Sequence, residues 1–136
     1  MLVVNSDRKI QFNDGPSAYD TVSYNYGTNL LRSGLSVVQP NASAWQQTYA
    51  YDAARRLTNT TSPAGAVSYE YYANPGGGDA SPSALIKKRT LPSGAYVTNA
   101  FDSVARLTGT VIKNSSHSAL NSHVYGYNLA HEILFY

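Results

Sequence analysis

The chain has 136 residues, of which 13% are charged, with 12 tyrosines, one methionine, one tryptophan and a formal net charge of +2. That charged share is about half the roughly one quarter usual in soluble domains, and the basic excess is too mild to imply a nucleic-acid partner. The absence of cysteine excludes disulfides, thiolate metal sites and a cysteine nucleophile, and no apolar run approaches the ~20 residues of a membrane span.

The residues that replace charge are Tyr, Ser, Thr, Asn and Gly rather than aliphatics. Tyr and Thr favour pleated, half-buried surfaces, and Asn, Gly and Pro favour the turns between them. An all-β protein of many short strands is expected, and the length suits one domain.

In chain order, Met1-Leu2-Val3-Val4-Asn5-Ser6-Asp7 lacks the basic start and long apolar run of a signal peptide. Any export address is therefore expected on a longer chain. Residues 1–48 form an irregular N-terminal segment. In it Asn13-Asp14-Gly15-Pro16 reads as a turn and Leu35-Ser36-Val37-Val38 as a short strand. Val22-Ser23-Tyr24-Asn25-Tyr26-Gly27 reads as a worn copy of a pattern that recurs downstream, so the segment is expected to be a degenerate repeat.

Residues 49–136 carry that pattern openly. Tyr49-Ala50-Tyr51-Asp52 is followed by Arg56-Leu57, and Ala100-Phe101-Asp102 by Arg106-Leu107 at the same offsets. Tyr125-Gly126-Tyr127-Asn128 repeats it loosely, with Glu132-Ile133 in those places. A second signal alternates with the first: Ser62-Pro63-Ala64-Gly65, then Leu91-Pro92-Ser93-Gly94. Alternating runs follow both, with Tyr69 and Tyr71 in the earlier one. In Tyr-x-Tyr the rings share one strand face. Asp starts a turn by bonding the backbone two residues on. Ser-Pro-x-Gly fits a type I turn. Strands of about 5–7 residues fit between these signals, which gives an antiparallel meander with two strands per repeat. Asn74–Ser83 and Asn114–Ala119 read as loop insertions on that scaffold, and Lys87-Lys88-Arg89 as the solvated face or charged edge of a strand.

At Tyr49, Tyr51, Asp52, Arg56, Leu57, Pro63, Gly65, Tyr69, Tyr71, Pro92, Gly94, Phe101, Asp102, Arg106, Leu107, Tyr125 and Tyr127 the sequence resembles the YD-repeat or Rhs-repeat family. Its unit is roughly Tyr-Asp-x-x-Gly-Arg-Leu, a strand, Pro-x-Gly, a strand and Tyr-x-Tyr-Asp. The match is good from Tyr49 to Phe101, looser to Ile133 and weak before Tyr49. The resemblance implies a long sheet wound into a spiral β-shell. In bacterial members and in the C components of toxin complexes the shell encloses a toxin domain, and in teneurins a similar barrel stands in an adhesion ectodomain. Two departures stand out. The family's Gly before Arg-Leu is replaced by Arg55, Ala105 and His131. A left-handed backbone there would cost about 1 kcal/mol relative to Gly, which argues for a different turn type. No Rhs core signature or toxin domain occurs before Tyr136, so a fragment or decayed copy is an alternative expectation.

No chemistry rises above that background. His117, His123 and His131 have no carboxylate at metal-ligand spacing and read as solvated loop residues. Asp52 and Asp102 read as recurring turn starters rather than a catalytic pair. No Gly-x-Ser-x-Gly elbow occurs, and Gly76-Gly77-Gly78 lacks the Lys-Ser/Thr of a phosphate loop. The expectation is a non-catalytic structural segment with no metal and no cofactor, secreted or at the cell surface within a longer protein. Its partners would be adjoining repeats, or copies of itself met through the sheet edges, with a toxin cargo. The competing class is a surface module that binds glycan or protein through exposed tyrosines.

Overall fold

A computed structural model describes residues 10–13, 19–39, 42–73, 82–130 and 132–135. It is all-β, with no helix among the described residues. Of the expected loops, 74–81 lies outside these residues, as do 14–18, His131 and Tyr136.

The chain divides into two units, Met1–Ala66 and Val67–Tyr136. The first contains β1 (Ile10–Asn13), β2 (Tyr19–Tyr26), β3 (Arg32–Val38), β4 (Trp45–Tyr51) and β5 (Leu57–Ser62). β6 (Gly65–Ala73) starts at its close and runs into the second unit. There it is followed by β7 (Pro82–Thr90), β8 (Tyr96–Phe101), β9 (Leu107–Lys113), β10 (Ala119–Tyr127) and β11 (Ile133–Phe135). Within each unit every strand pairs antiparallel with its neighbours in sequence. The meander expected from the alternating turn signals is the observed topology.

The strands follow from the period-two pattern. In β4, Gln47, Tyr49 and Tyr51 are half-buried while Gln46, Thr48 and Ala50 are exposed. Glu70 is likewise exposed between half-buried Tyr69 and Tyr71. β2 and β3 are as regularly paired as the strands after residue 49, from Thr21 opposite Val38 to Tyr26 opposite Arg32.

No hydrophobic side chain among the described residues is fully buried. Among the described residues each unit is thus a sheet without a second layer, and a sheet ordinarily gains stability by burying one face against another element. Large apolar side chains accordingly stand exposed, among them Leu30, Val104, Leu120, Val124 and Leu129.

The reversals share one geometry. In Gly27–Leu31, Asp52–Arg56, Leu91–Ala95, Asp102–Arg106, Asn114–Ser118 and Asn128–Glu132, the first residue's N–H donates to the fifth residue's carbonyl at 2.8–3.1 Å. In the first five of these, the fourth residue's N–H also donates to the first carbonyl at 2.9–3.0 Å. That fourth residue is left-handed, with φ of 62° at Leu30, 65° at Arg55, 79° at Gly94, 66° at Ala105 and 65° at His117. This is the three-residue hairpin loop, a β-turn closed by a left-handed residue. Arg55 and Ala105 therefore keep the backbone for which the family uses Gly, and bear its strain, rather than changing the turn type.

The Pro-x-Gly signals do not behave alike. Leu91-Pro92-Ser93-Gly94 belongs to the five-residue class, whereas β5 and β6 are linked by Pro63 and Ala64 alone. There the Ala64 N–H donates to Ser62 Oγ at 3.2 Å, and Gly65 has φ of 109°. Asn114–Ser118 is an ordinary member of the same class rather than an irregular insertion. Lys87, Lys88 and Arg89 lie in β7, which pairs on both sides and is no edge.

Candidate functional site

The recurring Tyr, Asp, Arg and Leu residues meet at the hairpin tips, and the second unit has the fullest set. Asp102 ends β8, and its Oδ1 accepts the N–H groups of Val104 at 3.0 Å and Arg106 at 2.9 Å. Its Oδ2 accepts Arg106 Nε at 2.6 Å. One carboxylate thus holds the turn and aims the guanidinium. The Arg106 guanidinium stands 4.6 Å from the centre of the Tyr127 ring on β10. The Tyr127 hydroxyl donates to the Leu107 carbonyl at 2.7 Å. Carboxylate, guanidinium and ring form a clamp that joins a tip to the next strand by charge-assisted hydrogen bonding and cation–π attraction.

The first unit repeats the arrangement. Asp52 Oδ1 accepts the Arg56 N–H at 2.9 Å, and Oδ2 accepts Arg56 Nε at 2.6 Å. Backbone N–H donation from Arg56 and Arg106 is the main cause that holds the Asp52 and Asp102 carboxyls below the usual carboxylate value. The arginine side chains add to it, against partial desolvation. At the preceding tip Arg32 lies 4.6 Å from the Tyr24 ring centre. Hydrogen bonding to Tyr26 foremost, and also to Tyr49, raises its guanidinium above the ordinary value despite desolvation. Arg55 adds a link between tips, donating to the Asn29 carbonyl at 3.1 Å.

The motif residues therefore sort by place. Tyr49, Tyr51, Tyr69, Tyr71, Phe101, Tyr125 and Tyr127 lie towards the strand ends that lead into tips, and Arg56, Leu57, Arg106 and Leu107 open the return strands. Pro63, Gly65, Pro92 and Gly94 lie at the opposite ends. A Cβ on Gly94 would stand 3.0 Å from the Ser115 Cβ.

Other participants carry weaker sequence signals. Tyr72, rather than Tyr71, meets Phe101 edge to face at 5.9 Å and donates its hydroxyl to the Asn99 carbonyl at 2.7 Å. Asn99 also bonds the Ile86 carbonyl and the Thr110 hydroxyl, at 3.1 and 3.0 Å. Lys88 pairs with Glu70 at 3.3 Å and stands 4.8 Å from the Tyr96 ring centre. Arg32, by contrast, was open to inference, since it follows a tip behind the Tyr-x-Tyr of Tyr24 and Tyr26.

His117 lies in the Asn114–Ser118 turn, with Nδ1 2.9 Å from the Tyr96 hydroxyl. His123 lies in β10, with Nε2 3.2 Å from Asn121 Nδ2. No cluster of three or more His, Asp or Glu residues suited to a metal occurs among the described residues. An open cleft between the Asp102–Arg106 and Asn128–Glu132 tips is lined by Val104, Arg106, Tyr127, Asn128, Leu129 and Ala130.

Comparison with protein families bears on one of these tips. Residues 35–67 match the family model for the RHS Repeat, a span that holds the Asp52–Arg56 tip and the Pro63–Gly65 turn. The chain carries an Rhs repeat. No curated protein matches it. The Rhs match begins in β3 and crosses residue 49, so Leu35–Val38 and Trp45–Thr48 are part of the matched repeat. The match supports a structural repeat segment, with Asp52–Arg56 as the Asp–Arg tip inside the matched span.

Proposed function

We propose that this segment forms part of a β-shell wall that encloses or presents a toxin domain, without chemistry of its own. The observation that carries this reading is a regular, clamped sheet in which no described hydrophobic side chain is fully buried. Such a sheet gains its missing burial from neighbours, as repeat proteins do. The adjoining repeats of a longer chain are the natural neighbours, and the secreted or cell-surface setting of that longer protein is part of the proposal. No described helix is long and apolar enough to cross a membrane.

A glycan- or protein-binding role for the tyrosines is the competing reading. Sugar platforms need open ring faces, whereas Tyr24, Tyr96 and Tyr127 each have a cation over the ring, from Arg32, Lys88 and Arg106. Those contacts support packing. The test is limited proteolysis of the full-length polypeptide. A domain held within the shell should resist protease until the wall is opened by denaturant. Digestion at the rate of the isolated domain would overturn the enclosing role.

A further inference from the structure

The last tip reverses the chemistry of the two Asp–Arg tips. Asn128 takes the place of Asp, and its Oδ1 accepts the N–H groups of Ala130 and Glu132, both at 2.9 Å. Glu132 takes the place of Arg, and its Oε2 accepts Asn128 Nδ2 at 2.7 Å. Both tips close with the first residue's N–H on the fifth residue's carbonyl, while side-chain donor and acceptor exchange sides.

This exchange falls at a defined place. Arg32 opens β3 and Arg106 immediately precedes β9. At the Asp102–Arg106 tip the next strand outward, β10, brings Tyr127 against Arg106 at its C-terminal end. Glu132 immediately precedes β11, whose inner side pairs with β10 and whose outer side has no partner among the described residues. Ile133, Leu134 and Glu132 are exposed there. A tyrosine in the corresponding place would set the negative face of its ring towards a carboxylate, which is repulsive.

We propose that the outer edge of β11 takes an antiparallel strand ending in Lys or Arg, whose cation sits on Glu132 where the Arg106 junction seats Tyr127. This rests on the reading that neighbouring strands complete the sheet. The partner is an apolar strand with a basic end. A second copy meeting β11 through β1 does not fit the requirement, because β1 ends at Asn13 with no cation there.

The experiment titrates isotope-labelled protein with two acetylated, amidated peptides, Thr-Val-Thr-Val-Thr-Val-Arg and the same strand ending in Tyr, and follows the amides of Ile133–Phe135. Both should shift these amides, with the Arg peptide bound about two- to fivefold more tightly, the range of an exposed ion pair. Glu132→Arg should reverse the order. Its turn is retained through Asn128 Oδ1, which the amide spectrum checks. Equal affinities, or an order unchanged by Glu132→Arg, would overturn the charge rule while leaving edge docking standing. No shift with either peptide would remove edge docking and the rule together. Self-association that occupies the β11 edge would overturn the choice of partner.

Discussion

The tips at Asp102–Arg106 and Asn128–Glu132 bend the chain in the same way with different chemistry. Both have a side-chain oxygen at the first residue that accepts two backbone N–H groups. Only the first adds an aspartate–arginine pair and a ring stacked on the guanidinium. Asn114–Ser118 is a third version, in which Asn114 Oδ1 accepts Ser116 and Ser118 at 3.0 and 2.9 Å with no charge at all. Gly27–Leu31 and Leu91–Ala95 close with the same backbone bonds and no side-chain acceptor at the first residue, so the ion pair is not needed to make the reversal. What the Asp–Arg form adds is a handle for the following strand.

The sharpest way to break this distinction is to remove the ring. Tyr127→Ala deletes the cation–π contact, the hydrogen bond to Leu107 and the packing of a half-buried side chain. A loss of about 2–3 kcal/mol is expected, at the low end for large-to-small changes because the ring is only partly covered. Tyr127→Phe should lose about 1 kcal/mol, the usual worth of one hydrogen bond. Chemical denaturation measures both, and equal losses would mean that the ring face contributes nothing. Tyr125, on the same strand, should respond less.

At the tip itself, Asp102→Ala should lower the melting temperature more than Asp102→Asn. Asparagine keeps the acceptor for Val104 and Arg106, as Asn114 and Asn128 do naturally. If the two variants melt together, the charge on Asp102 is what holds the turn, and the neutral tips need another explanation.

Acid separates the tips in another way. Asp52 and Asp102 have carboxyls held below the ordinary value in the folded chain. Their contribution to stability is complete above the unfolded carboxylate range and is lost as pH falls through the depressed folded value. Asp102→Asn should therefore flatten the melting curve's dependence on pH between about 5 and 2. An unchanged slope would assign acid sensitivity to other carboxylates, such as Glu70 beside Lys88.

The meander was legible because turn signals alternate with period-two runs, and the tips because Asp and Arg recur at a fixed offset. The clamp was harder to read. Nothing in the string says that Tyr127 meets Arg106, since the contact crosses from β10 to the start of β9 and depends on register. Tyr72 on β6 meets Phe101 on β8, and a contact that skips a strand leaves no local signature. The two Pro-x-Gly segments looked equivalent and are not, because the length of the turn is shared between its own residues and the strands on either side.

The smallest expected effect isolates the backbone from everything above. Ala105 has φ of 66° in a tip whose ion pair and ring contact lie on other residues. Its methyl is exposed and takes part in neither clamp bond. Glycine adopts this region without the clash between Cβ and the backbone, although it also gives the unfolded chain more freedom. The strain relieved is about 1–2 kcal/mol and the entropy lost about 0.5–1 kcal/mol, so Ala105→Gly should stabilise by roughly 0.5–1 kcal/mol. Arg55→Gly relieves the same strain but also removes the bond to the Asn29 carbonyl, so its gain should be smaller or absent. Thermal melts of the two variants beside the parent chain make the comparison. A gain at Ala105 with none at Arg55 would separate backbone strain from tip-to-tip contact. Destabilisation by Ala105→Gly would mean that the left-handed residue carries no strain, and that the family's glycine at this place serves some other purpose.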